Sequence, residues 1–160
     1  MPRLYGSDEV RSQQKQLTIV FALVEGVDVD PELTSHFARY LCVRLAGFAE
    51  KSLKDLVVAH ARARSSATVH RFVEGQMGKV WGINQSKLKD VLDALDPGWW
   101  DPLASRFSRE IDALNSVGKL RDSISHGGPS GIGIPQVQQY RDDIYALFYH
   151  LCELLDPKQD

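Results

Sequence analysis

In the stretch KLRDSISHGG, residues 119–128, a helical-looking run carries Arg121 and His126 and then meets two glycines. Arginine is permanently charged and offers oxyanions a planar fork of donors. Histidine is the side chain whose ordinary titration falls near neutral pH, so it can give or take a proton there. Together the two can compensate the charge of an anion while moving a proton, and phosphate chemistry needs no more than these two functions at its simplest. A plainer role exists for both, because a helix C-terminus favours cations through its dipole.

Residues five apart on a regular helix are rotated by roughly 140° from each other, so a straight helix would set Arg121 and His126 on different faces. The glycines remove that difficulty. Gly127 suits the left-handed residue that ends a helix, which leaves His126 where the chain departs and lets its ring swing toward the Arg121 side.

Six stretches have the apolar spacing of helices that could carry this pair. A first runs over about residues 8–24. A second starts at Asp30-Pro31-Glu32, which supplies an N-cap, a proline fit for the first turn and an acid at the positive end of the dipole. Leu33, Phe37, Leu41, Leu45, Phe48 and Leu56 then recur near helical period, so one long helix to about Arg64 should be the spine. Shorter helices follow over about 66–80, weakened by Gly75 and Gly78, and about 86–95. The proline-bracketed turn DPGWWDP (96–102) precedes a fifth helix, expected to run unbroken from about Asp101 to Ser125. Trp99 and Trp100, being neighbours, cannot both point into one core. GGPSGIGIP reads as a flexible connection, and a last helix spans about Pro135 to Leu155. No segment alternates with period two, so the fold class is all-α.

Other candidates are weaker. Arg64 and His70 also satisfy a loose Arg and His spacing, but they should flank the turn between the second and third helices. His36, His60 and His150 have no partners at metal-ligand spacing and read as structural or exposed. Cys42 and Cys152 sit in apolar, helix-like contexts and read as reduced core residues. Asp142 and Asp143 beside Arg141 read as a solvated face, and Arg44 with Glu50 as a pair on the long helix.

A chain of 160 residues, 43% of them apolar, has the size of one domain and enough apolar content for one core. Its formal charge of −2 excludes a strongly basic nucleic-acid binder of the general kind. The average hides a local excess: residues 31–80 hold Arg39, Arg44, Lys51, Lys54, Arg62, Arg64, Arg71 and Lys79 against Glu32, Glu50, Asp55 and Glu74, a net +4. That face could receive an anion. MPRLYGSDEV lacks the apolar core of a signal peptide and LTIVFALV is too short to span a membrane, so a soluble, cytoplasmic protein is expected.

RDSISHG resembles the signature of HEPN domains, in which Arg, a polar residue, three further residues and His follow one another. Many of these small helical bundles are metal-independent endoribonucleases. The resemblance extends to the order of elements: a long helix with GFAEKSLKDLV (47–57), a penultimate helix ending in the motif, a loop and a last amphipathic helix. This order is most similar to RiboL-PSP-type and related bacterial HEPN proteins and covers about residues 30–155, preceded by the 8–24 helix.

The resemblance implies a HEPN-like bundle of about five to six helices forming a single domain over 1–160. It implies catalytic Arg121 and His126, a supporting Asp122 at the polar position, and a supporting carboxylate at Glu50. RNA carries its own nucleophile, the 2′-hydroxyl, so these residues would suffice for cleavage to a cyclic phosphate with neither metal nor cofactor. Single-stranded RNA is the expected substrate and a homodimer with both motifs in one cleft the expected assembly. A toxin or phage-defence effector, with an antitoxin or defence-system partner, is the role such a protein would have. The alternative is a non-catalytic module that binds a nucleotide, nucleic acid or protein.

Overall fold

Asp30 opens the longest element: its side chain accepts the Leu33 N–H at 2.9 Å, Pro31 occupies the first turn, and helix α2 then runs over Pro31–Arg64. At 34 residues it is about 50 Å long. The computed structural model describes residues 7–128 and 131–155. In it, α1 (Ser7–Glu25) folds back along α2, α3 (Ala67–Met77) and α4 (Gln85–Leu95) follow, then α5 (Trp100–Arg106), α6 (Ser108–Ser125) and α7 (Ile134–Leu154). The described residues contain no strand, as an all-α bundle requires.

Helix α2 is the hub because its apolar positions extend around much of its circumference. It packs against α1, α3, α6 and α7, burying Leu41, Leu45, Phe48, Leu53 and Leu56 between them. Ala38, Ala46 and Ala49 let those neighbours approach closely, and Phe48 meets Tyr145 and Phe148 of α7 in tilted and edge-on ring contacts. The buried Ser52 hydroxyl donates to Gln13 Oε1 of α1 at 3.2 Å, so this buried polar side chain is satisfied.

The predicted fifth helix is two helices. Phe107 (φ −117°, ψ 35°) ends α5 and caps α6, and its ring lies 4.6 Å from that of His150 on α7. No Gly or Pro marks the break; it coincides with this tertiary contact. Trp100 is buried while Trp99 is half-buried against His60, so the adjacent indoles do diverge.

Two further readings need correction. Asp143 does not lie on a solvated face: it is buried and accepts from Arg109 Nη2 at 2.8 Å and from Gln139 at 3.1 Å. GGPSGIGIP is not simply a free connection, because Ile132 is seated in the core. Pro129 and Ser130 of that segment, and residues 1–6, lie outside the described residues. No helix among the described residues is long and apolar enough to cross a membrane.

Candidate active site

Helix α6 ends as its sequence requires. Gly127 (φ +76°) donates to Ile124 O at 3.1 Å and Gly128 donates to Ser123 O at 2.7 Å, the paired bonds of a Schellman termination. His126 is thereby fixed as the last near-helical residue (φ −93°, ψ 10°), with an exposed side chain.

Arg121, a little over one turn earlier, is half-buried and turned toward α2. Its Nη1 donates to Glu50 Oε2 at 3.3 Å. The same oxygen accepts the Gly82 N–H at 2.9 Å, and Glu50 Oε1 accepts from Lys54 Nζ at 3.1 Å. One carboxylate thus serves an arginine, a lysine and a backbone amide, which satisfies both of its oxygens while it is largely shielded from water. The contact commits one of the guanidinium's five donors, and the side chain keeps 31% of its exposure.

The third partner belongs to the 80–84 segment between α3 and α4, and two glycines place it. Gly82 has φ +75°, a conformation that L side chains rarely adopt. At Gly118 of α6 a Cβ would stand 2.2 Å from Ile83 O, so only glycine lets this segment cross the helix. Ile83 is buried, Asn84 caps α4 through Lys87 N, and Gln85 and Asn115 exchange two hydrogen bonds, its backbone N–H to Asn115 Oδ1 and Asn115 Nδ2 to its side chain. The segment is pinned at every residue but Trp81, whose ring is 73% exposed with Lys54 Nζ 5.6 Å from its centroid.

Asp122 is exposed and lines an open cleft of about 470 Å³ with Lys87, Lys89 and Lys119. Asp122 and His126, four apart on α6, share one side of the helix. Among the described residues, no side-chain hydrogen bond or ion pair joins Arg121 to His126 or Asp122 to either; the His126 backbone N–H donates to Asp122 O at 3.1 Å, as the helix requires. The structure therefore brings Glu50 to Arg121 and leaves His126 unengaged at the surface. Arg44 is not Glu50's partner: its Nη1 donates to the Tyr40 hydroxyl at 2.8 Å. Sequence reasoning missed Lys54, Gly82 and Gly118; the two glycines were the available signal.

The remaining candidates lie elsewhere. Arg64 ends α2 and His70 lies in α3, on either side of the turn at Ser65 and Ser66. His60 and His150 line a separate cleft with Trp99, and burial depresses the pKa of both. Cys42 and Cys152 are free thiols in the core, where desolvation raises each to about 11. Among the described residues, no three His, Cys, Asp or Glu side chains gather in a way that could hold a metal ion.

The sequence profile of the family described as RiboL-PSP-HEPN matches residues 8–156, which is nearly the whole chain. The chain belongs to this HEPN family. No curated protein and no solved structure matches it. Within the HEPN chain, the match takes in α1 as well as the expected 30–155 core, and its span holds Glu50, Arg121, Asp122 and His126 together.

Proposed function

We propose that this HEPN protein is a metal-independent endoribonuclease acting on single-stranded RNA, with Arg121 and His126 as its catalytic residues. The observation that carries the reading is the Glu50 contact. A guanidinium on an ordinary helix face would be free to wave in solvent, whereas this one is held by a shielded carboxylate that a lysine and a backbone amide hold in turn. That is how a cation is oriented in advance for an anion.

In this reading His126 takes the proton of the 2′-hydroxyl, the 2′-oxygen attacks the adjacent phosphorus, and the 5′-oxygen leaves with a proton from a second imidazole. Arg121 compensates the charge of the phosphorane. The second imidazole is the His126 of another copy of this chain, so the active form is a homodimer with both motifs in one groove. Asp122 serves to orient His126 or the substrate. The cellular role that fits is a toxin or phage-defence effector, working with an antitoxin or defence-system partner, in the cytoplasm.

A second reading is favoured by the same ion pair. Arg121 already has an internal partner and does not touch His126, an arrangement that suits a non-catalytic module whose arginine locks α6 to α2. One experiment separates them: labelled single-stranded RNA is incubated in excess chelator with the protein, His126→Ala and Arg121→Ala, after circular dichroism has shown equal helicity. Cyclic-phosphate products lost in both variants support the nuclease. Faint, equal cleavage by all three proteins leaves the module.

A further inference from the structure

Trp81 is the most exposed of the large apolar side chains among the described residues, at 73%, and its position in the chain does not account for that. The core contact of its segment is made by Ile83, which is buried, so the indole is not needed to anchor the loop. Nor is the loop loose. Gly82 is bonded to Glu50, Ile83 O is seated over Gly118, and Asn84 caps α4. A large aromatic ring is therefore held out in solvent by a rigid backbone.

Its surroundings suit one class of ligand. Lys54 Nζ, 5.6 Å from the ring centroid, is bound to the carboxylate that holds Arg121, which ties the ring to the candidate site through two contacts. At Gly82, the next residue, the position of a Cβ would be 3.1 Å from Lys87 Nζ and 3.6 Å from Arg121 Nη1. Lys87, Lys89 and Lys119 line the adjoining cleft; Lys89 is paired with Asp93 of its own helix, and Asp122 is the carboxylate among the lining residues. An apolar π-face beside a run of cations is the arrangement that takes an unpaired base together with its phosphates.

We propose that Trp81 is a stacking platform for an unpaired nucleobase of single-stranded RNA, with the adjoining phosphate backbone running over Lys87 and Lys119. The assignment rests on the ribonuclease reading and adds to it where the substrate lies. It also accounts for RNA capture by a chain of net charge −2, since the binding cations are gathered at one place. Duplex RNA, whose bases are stacked on one another, would not use the platform.

The test uses the full-length protein and a fluorescently labelled, 2′-O-methylated oligoribonucleotide, which retains its bases but has no free nucleophile. Anisotropy gives the affinity for wild type, Trp81→Phe and Trp81→Ala, each checked for helicity, and an abasic oligonucleotide of equal length is run beside it. Loss of the ring should weaken binding by about tenfold or more, and phenylalanine should restore most of it. Wild type should bind the abasic strand as weakly as Trp81→Ala binds the normal one. With cleavable RNA the Trp81→Ala defect should lie in KM rather than kcat. Equal affinities for all three proteins, with cleavage still lost in Arg121→Ala and His126→Ala, would remove the platform and leave the nuclease standing. Ring-dependent binding without any cleavage would do the reverse, and absence of binding by wild type overturns the platform outright.

Discussion

Glu50 Oε2 accepts from Arg121 Nη1 at 3.3 Å and from the Gly82 N–H at 2.9 Å, so a single oxygen joins α2, α6 and the 80–84 segment. Glu50→Gln preserves the shape but removes the charge that makes these bonds strong. The expected result is a stability loss of about 1–2 kcal/mol in urea unfolding, from weakened charge-assisted bonds. Under single-turnover conditions the proposed RNA cleavage should fall about tenfold or more, since a misplaced cation costs transition-state stabilisation. Destabilisation with cleavage intact would assign Glu50 a purely structural part.

The crossing of Ile83 over Gly118 is sterically exclusive, because a Cβ at residue 118 would stand 2.2 Å from a backbone oxygen. Gly118→Ala must push the segment off α6, at a cost of about 1–3 kcal/mol. It should also break the Gly82 to Glu50 bond and depress the proposed RNA cleavage with Arg121 and His126 still present. Gly47→Ala is the control: a Cβ there meets nothing within 4 Å, and an alanine in a helix interior should stabilise by up to about 1 kcal/mol. Equal urea midpoints for the two variants would contradict this account.

These relationships also show where the sequence was legible. The Asp30-Pro31-Glu32 start of α2 and the glycine stop of α6 are local signals, and both helices end where those residues place them. The break at Phe107 is invisible in sequence because no Gly or Pro marks it and the ring it meets there, His150, lies 43 positions away. Asp143 next to Asp142 reads as surface until Arg109 of α6 is brought to it. Arg121 and His126 could be singled out by type and spacing, but the partnership of Arg121 with Glu50 spans 71 positions and depends on how α2 and α6 pack. Asp122 near His126 was legible as a neighbour in the chain, as was Lys119, while Lys87 and Lys89 of the same cleft come from α4.

Cys42 and Cys152 should be inert in the native protein. Both are buried, and desolvation raises each thiol to about 11, so at pH 8 almost none is in the reactive thiolate form. A chromogenic disulfide reagent at pH 8 should label neither cysteine on the time scale of minutes, and both at once when guanidinium is added. Rapid labelling of one cysteine in the folded state would show that its helix opens locally.

Stability should fall on mild acidification because of His60 and His150. Burial lowers both pKa values below the ordinary 6.5, with Arg64 acting in the same direction on His60 and Arg106 on His150; the Leu155 carbonyl and Glu153 oppose the shifts without reversing them. The unfolded chain then binds protons at a pH where the folded chain does not. The stabilisation from the neutral rings is complete above pH 6.5 and is lost as pH falls through 6.5 toward the depressed folded values. Thermal melts between pH 7.5 and 5 should show a declining Tm, and the decline should be shallower in the His60→Gln, His150→Gln double variant than in wild type. Parallel slopes would mean that neither ring resists protonation in the folded protein.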